Sequence, residues 1–302
     1  MQHMRVLVTG DLGFVGQRVM AAWPGAVGLS SLGPEIDIGD SAALVKALRV
    51  CQPQAVLHLA AQSFVPESFN NPEKTYAINF TGTLRLLQAL ADTGFKGKFL
   101  QVGSGDAYGL VPLAEMPIQE TRALKPRSPY SVSKAAAEAL CFQWSQTGPF
   151  EVVMARPFNH IGAGQSSNFA VPDFARQIAQ VAAGLRAPVL RVGNMDVSRD
   201  FTDVGDIVHA YELLLQQGVN GECYNVCSGQ EFYLRDLVER LIKLAGVDAR
   251  IEVDPERFRP AEQARIWGSY DKLHKHTGWR PLISMDETLV LIYQFSEREF
   301  RV

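Results

Sequence analysis

RVLVTGDLGFVG, Arg5 to Gly16, joins an apolar β-type run to a helical-period segment through a turn with glycines at 10, 13 and 16. Glycines in such a turn let backbone come close to a pyrophosphate, and the helix that follows offers free N–H groups and its dipole to the same charge. The position of the turn after a first strand is what predicts a dinucleotide-binding start. Outward from it, apolar runs alternate with helical ones: AVLHLAA (55–61) before a helix over 75–93, KFLQVGS (98–104) before one over 131–147, then EVVMARPF (151–158). That order implies right-handed crossovers and a parallel sheet covered on both faces. The expected fold is α/β, a doubly wound parallel sheet of the Rossmann type over residues 1–163. After ARPFNHIGAGQSSN (155–168) the rhythm changes, and residues 164–302 read as a smaller mixed α/β unit for substrate. The helix expected over 203–217 is amphipathic enough to pack back on the first unit.

A chain of 302 residues with 47% hydrophobic composition can bury a large core, and its net charge of −3 without like-charge runs gives no basis for a nucleic-acid or membrane-surface partner. No run approaches the roughly 20 apolar residues of a membrane span. The N-terminus enters VLVTG with no basic and apolar leader, so a cytoplasmic location is expected. Cys51, Cys141, Cys223 and Cys227 are too few and too scattered for a disulfide framework and are expected reduced. CYNVC (223–227) suits a strand better than a zinc knuckle, HKH (274–276) suits a loop, and no metal is expected.

The run FLQV (99–102) ends in GSGDAYG (103–109), which places Ser104 and Asp106 at a strand tip. SPYSVSK follows, with Tyr130 and Lys134 one helical turn apart and so on one face. A lysine beside a phenol is expected to lower its pKa from about 10, which makes it a proton donor and acceptor near neutrality. Ser104 can hydrogen-bond a substrate oxygen beside Tyr130. With Asp106 these are the candidate catalytic residues. The candidates for holding the dinucleotide are Gly10, Leu12, Gly13, Phe14, Val15 and Gly16 in the turn, Asp37 and Ile38 along the adenine, Leu59, Ala60 and Ala61 after the third apolar run, Pro157, and Tyr130 and Lys134 themselves. AVGLSSLG (26–33) carries neither an acid for a ribose hydroxyl nor an arginine for a 2′-phosphate, while Ser30 and Ser31 are compatible with a phosphate, so NADH and NADPH both stay open as cofactor. Asp203 and Asp206 are expected to cap the helix that follows them, and His160 to be a loop residue.

HLAAQSFVPESF, NFTGTLRLLQAL, SGDAYG, SPYSVSK, RPFNHIGAGQ, GNMDVSRDFTDVGDIV and RPAE in FRPAEQA together resemble the extended short-chain dehydrogenases/reductases. Within them the chain is most similar to the GDP-sugar branch of GDP-mannose 4,6-dehydratases and the related 4-keto-6-deoxy-mannose reductases. The resemblance implies substrate contacts from Gln62, Asn159, Val192, Asn194, Arg199, Arg259 and Glu262. Of these, Asn159, Arg199 and Arg259 would reach the diphosphate and Glu262 the ribose. It also matches Asn79 to an asparagine near the active site, where a buried amide supporting the sheet is an equal reading. A homodimer through helices near 80–90 and 135–144 is implied as well.

Dehydratases of the branch carry a hydroxyl, a polar or acidic residue and a glutamate where this chain has Ser104, Gly105 and Asp106. Dehydration needs a base at C5 and an acid at C6, and Gly105 supplies neither. Ketone reduction needs only nicotinamide, Tyr130, Lys134 and Ser104. The expected activity is therefore NAD(P)H-dependent reduction of the C4 ketone of GDP-4-keto-6-deoxy-D-mannose; the residues leave the C4 configuration of the product open, and the resemblance implies GDP-D-rhamnose. A 4,6-dehydratase using Asp106, a 4-epimerase and an idle dinucleotide sensor are the alternatives; no cysteine follows Ser104 closely, as a 3,5-epimerase/reductase would need.

Overall fold

The computed structural model describes residues 4–33, 36–257 and 263–300. In chain order the first half runs β1 (Val6–Thr9), α1 (Phe14–Ala22), β2 (Ala26–Gly28), α2 (Ser41–Cys51), β3 (Ala55–His58), α3 (Val65–Asn70), α4 (Pro72–Tyr76), α5 (Thr83–Asp92), β4 (Lys98–Val102), α6 (Pro129–Thr147) and β5 (Glu151–Pro157). A π-helical stretch, Ala77–Gly82, fuses α4 to α5. The second half runs β6 (Asn159–Ile161), α7 (Ala170–Ala182), β7 (Val189–Val192), β8 (Ser198–Arg199), β9 (Phe201–Asp203), α8 (Val204–Gln217), β10 (Cys223–Val226), β11 (Phe232–Tyr233), α9 (Leu234–Ala245), β12 (Arg250–Val253), α10 (Asp271–Thr277) and α11 (Met285–Arg298).

Six strands form one parallel sheet in the order β10-β5-β4-β3-β1-β2. The period of two sends alternate residues to opposite faces. Val6 and Val8 join Leu57, Leu100 and Val153 in a core under α8 and α10, while Leu7 joins Val56, Phe99 and Val152 in a core under α2 and α5. The strand order reverses between β1 and β3, which opens the crevice where doubly wound folds bind ligands. The segment 36–40 forms no strand; Ile38 instead turns into the core, against the helix at Gly82.

Elements beyond residue 163 pack on the first unit, α8 among them as its amphipathic period predicts. Helix α8 contributes Ile207, Tyr211 and Leu214 to the first unit's core, β10 extends its sheet, and α10 packs there through Leu273. The apolar faces of these three elements have their partners in the first unit, so the chain returns to it twice. The second unit is built around a separate core of α7, α9 and α11 with short paired strands β7–β12, β8–β11 and β6–β9. HKH lies in helix α10 rather than in a loop, with His276 Nδ1 paired to the Tyr224 hydroxyl at 2.8 Å. Among the described residues no helix is long and apolar enough to cross a membrane.

A buried polar cluster locks the catalytic half together. Arg156 of β5 donates Nε to Glu138 Oε2 at 2.8 Å and Nη2 to Glu138 Oε1 at 2.5 Å, a forked pair that joins β5 to α6. Its Nη1 donates to the Tyr108 hydroxyl at 2.6 Å and to the Glu120 carbonyl at 3.2 Å. Tyr108 donates in turn to Asn225 Oδ1 of β10 at 2.7 Å. Both partners of the pair are buried, with side chains 7% and 12% exposed, so removing one leaves the other charge stranded. Glu138→Ala should therefore lower unfolding free energy by about 3–5 kcal/mol in urea denaturation. A loss under about 1 kcal/mol would place the pair among weak surface bridges.

Candidate active site

The turn between β1 and α1 is shaped by close contacts. Gly10 has φ +71°, and a Cβ there would lie 2.7 Å from the Ala60 nitrogen; a Cβ at Gly16 would lie 2.2 Å from the Gly10 carbonyl. These approaches bring the tips of β1 and β3 together over the start of α1. Helix α1 has no side-chain cap at Gly13 and no acid in its first turn, so its leading N–H groups are left for an anion. The turn thus fits a dinucleotide pyrophosphate. Around it, Leu12 is exposed, Phe14 stacks on His160 with ring centroids 6.4 Å apart, and Val15 packs on the core. His160 lies on strand β6 rather than in a loop, and burial lowers its pKa. Asp37 is exposed and accepts from the Gly39 nitrogen at 2.7 Å. The Ile38 side chain is buried, so only its backbone can face a ligand. Leu59, Ala60 and Ala61 follow β3, and Pro157 ends β5.

Beneath this floor runs a buried line of hydrogen bonds. The Ala60 nitrogen donates to Thr9 Oγ1 at 3.2 Å, Thr9 pairs with His58 Nδ1 at 2.7 Å, and His58 Nε2 pairs with Thr83 Oγ1 at 3.0 Å. Thr83 donates to the Asn79 carbonyl at 2.7 Å, which makes Nε2 the protonated ring nitrogen. Burial holds His58 neutral, its pKa lowered to about 3. Asn79 sits in the π segment. Its Oδ1 accepts from the Gln62 nitrogen at 2.8 Å, and its Nδ2 donates to the Gln62 carbonyl at 3.0 Å and to Ser133 Oγ at 2.9 Å. It is a buried amide that holds the loop after β3 to the first turns of α6.

Helix α6 starts sharply because Ser128 and Ser131 form a capping box and Pro129 occupies the first turn. That start puts Tyr130 and Lys134 at the tip of β4, where Ser104 caps the short turn Gly105–Tyr108 by accepting from the Asp106 nitrogen at 3.2 Å. The Ser104 hydroxyl is in hydrogen-bonding reach of the Tyr130 phenol, and the exposed Asp106 carboxylate is close enough to act on that phenol's charge. Lys134 Nζ donates to the Val102 carbonyl at 2.8 Å and lies 6.0 Å from the Tyr130 ring centroid.

Burial, reinforced by Asp106, pushes the Tyr130 phenol well above its ordinary pKa, and Ser104 draws it partly back. Burial brings Lys134 down to about 8. Desolvation outweighs any lowering of the phenol by Lys134, whose ammonium donates to the Val102 carbonyl. Tyr130 rests as an acid, ready to give a proton. Beside it, a Cβ at Gly105 would meet the Phe158 ring at 3.1–3.2 Å, so the ring fills the space that a side chain would take.

On the second unit, Asn159 opens β6, which pairs with β9 in register with Phe201. Arg199 Nη1 donates to the Ser198 carbonyl at 2.6 Å and to the Gln263 carbonyl at 2.8 Å. Gln263 exchanges two bonds with Val111, so this segment is tied to the loop after β4. Asn194 caps its own turn by accepting from the Asp196 nitrogen at 3.0 Å. The Val192 side chain is fully buried in the second core and its carbonyl accepts from the Asp254 nitrogen. Gln62 Oε1 is buried with no hydrogen-bond partner among the described residues. Arg259 and Glu262 lie outside the described residues. Asp203 caps α8, but Asp206 does not: its Oδ2 accepts from Leu282 and Ile283 nitrogens at 3.0 and 2.9 Å and ties α8 to the loop before α11.

One residue of this region had no signal in the sequence. Asp11 of the glycine turn reaches the end of β2, where its carboxylate accepts from Ser30 N at 3.3 Å and from the Ser30 hydroxyl. Only the fold brings residues 11 and 30 together.

Comparison with known proteins matches residues 34–291 to the GDP-mannose 4,6 dehydratase family model. GDP-6-deoxy-D-mannose reductase of Pseudomonas aeruginosa is 48% identical over 301 residues, covering 99% of this chain and 98% of that protein. GDP-mannose 4,6-dehydratase of Yersinia enterocolitica is 31% identical over 282 residues, covering 83% and 75%. The solved structure of RMD from Pseudomonas aeruginosa complexed with NADPH superimposes with a TM-score of 0.93 at 45% identity, covering 98% of this chain and 99% of that one. With a parallel Rossmann sheet, a glycine turn at its switch point and a Ser-Tyr-Lys group at the tip of β4, the chain belongs to the GDP-mannose 4,6-dehydratase family of extended short-chain dehydrogenases/reductases.

Proposed function

We propose that the protein reduces the C4 ketone of GDP-4-keto-6-deoxy-D-mannose to give GDP-D-rhamnose. The observation that carries this reading is the Phe158 ring packed beside Gly105, next to a complete Ser104-Tyr130-Lys134 group. The site can protonate an oxygen at C4, whereas position 105 has no group to protonate a leaving hydroxyl at C6. The reductase relative that spans nearly the whole chain supports the GDP-sugar.

The glycine turn with Asp37, Ile38 and residues 59–61 would hold NADH or NADPH, which when bound would supply the hydride. Tyr130 gives its proton to the ketone oxygen, Ser104 donates a hydrogen bond to that oxygen, and the Lys134 ammonium stabilises the phenolate left behind. Arg199, Arg259 and Asn159 grip the diphosphate, Glu262 the ribose, and Gln62 and Asn194 border the sugar nucleotide, while Val192, fully buried in the second core, supports that wall without touching the nucleotide. Exposed Val132 and Phe142 on α6, with Phe69 and Tyr76 on α3 and α4, support a homodimer across these helices. The four free thiols suit a reducing cytoplasm.

Given the keto sugar and reduced cofactor, the protein should consume the cofactor stoichiometrically and raise the sugar mass by two hydrogens. Given GDP-mannose and oxidised cofactor, it should release no 4-keto-6-deoxy sugar in mass spectrometry. Water loss at a rate rivalling reduction would assign Asp106 as a C5 base and make the protein a dehydratase. Tyr130→Phe should lower turnover by about two to four orders of magnitude while binding cofactor nearly as well, as titration would register.

The pH profile reports Lys134. Its ammonium is present below its pKa of about 8 and lost as pH rises through it, so kcat/KM for reduction should fall above that point. Arginine keeps its charge, and Lys134→Arg should move the alkaline limb beyond about pH 9. An unmoved limb would assign the titration to another group.

A further inference from the structure

We infer that Asp11 selects between the two nicotinamide dinucleotides and makes this protein favour NADH over NADPH. The inference rests on the dinucleotide reading of the glycine turn and not on the identity of the sugar.

In doubly wound folds the end of the second strand meets the adenosine ribose, where an acid pairs with a 2′-hydroxyl or a cation with a 2′-phosphate. Here β2 ends at Gly28, and residues 26–33 contain no lysine or arginine. An acid is delivered to that point from the glycine turn. Asp11 is buried, only 7% exposed, and lies against Gly28 so closely that a Cβ there would sit 2.3 Å from Oδ2. Gly28 has ordinary backbone angles, φ −71° and ψ 136°, so the lack of a side chain serves to admit the carboxylate.

The contact acts on a 2′-phosphate in two ways. Ser30 would be its natural donor, with a backbone N–H and a hydroxyl at the strand end, yet both already point to Asp11. Asp11 also places a negative charge beside the position of a dianion, and like charges juxtaposed in a partly desolvated site are strongly unfavourable. A ribose hydroxyl meets neither obstacle, because it can donate to the carboxylate.

Binding of NADH and NADPH to the full chain, titrated by nucleotide fluorescence with no sugar present, tests this directly. NADH should bind about tenfold or more tightly than NADPH. ADP-ribose should outbind its 2′-phosphorylated form by a similar factor, since the pair differs only in that group. Asp11→Asn keeps the size and one acceptor for Ser30 and should bring the ratio close to one by strengthening NADPH. Ser30→Ala, with Asp11 intact, should leave NADH ahead. Equal binding of the two by the wild type, or a ratio that Asp11→Asn does not move, overturns the assignment to Asp11. Binding of neither would overturn the dinucleotide reading together with it.

Discussion

A single guanidinium holds the catalytic half in register. Arg156 stands near the end of β5 and is surrounded by groups from four other parts of the chain: Glu138 from α6, Tyr108 from the turn that Ser104 begins, the Glu120 carbonyl, and through Tyr108 the Asn225 amide of β10. A buried ion pair contributes little net stability against an apolar replacement of the same shape, but its partners cannot drift apart without leaving a charge unpaired. Glu138 lies one turn after Lys134, so the pair sets where α6 stands against the strand tips. Tyr108 closes the turn that Ser104 opens. The spacing between the serine and the tyrosine–lysine helix is thus fixed from behind, by groups that touch no substrate.

Burial sets the chemical character of the same groups. Desolvation favours whichever form is uncharged, so it raises the phenol and lowers the ammonium. For Tyr130 this means a protonated resting state, the form a ketone reduction needs at its start. For Lys134 it means an ammonium whose charge is retained with a narrow margin near neutral pH. The Asp106 carboxylate, exposed at the mouth of the site, adds to the first effect.

The local parts of this arrangement were legible in the sequence. Glycines at 10, 13 and 16 after an apolar run, and a tyrosine and lysine four apart behind a helix cap, are short-range patterns whose physical reading needs no fold. Contacts between distant residues were not. Asp11 meets Ser30 past the ends of neighbouring β1 and β2, and Phe158 meets Gly105 past the ends of neighbouring β4 and β5. Asp206 resembled a cap by position, yet its carboxylate is satisfied by backbone more than 70 residues away. The return of α8 to the first unit was legible in its amphipathic period, whereas that of β10 and α10 was not, because the partners of their apolar faces lie in the earlier half. His274 and His276 fall in a helix because α10 docks on that core through Leu273 and pairs His276 with Tyr224.

The amide of Asn79 treats Gln62 as a neighbouring strand would, accepting from its N–H and donating to its C=O. A helix side chain thus gives the Gln62 backbone a strand-like pair of bonds four residues beyond the end of β3. A carboxylate of the same size would turn an acceptor toward a carbonyl, and an apolar side chain would orphan both peptide groups. Because the same amide also donates to Ser133, the backbone at Gln62 and the first turns of α6 form one rigid piece. The wall carrying the proton donor and the wall behind Gln62 then move together or not at all.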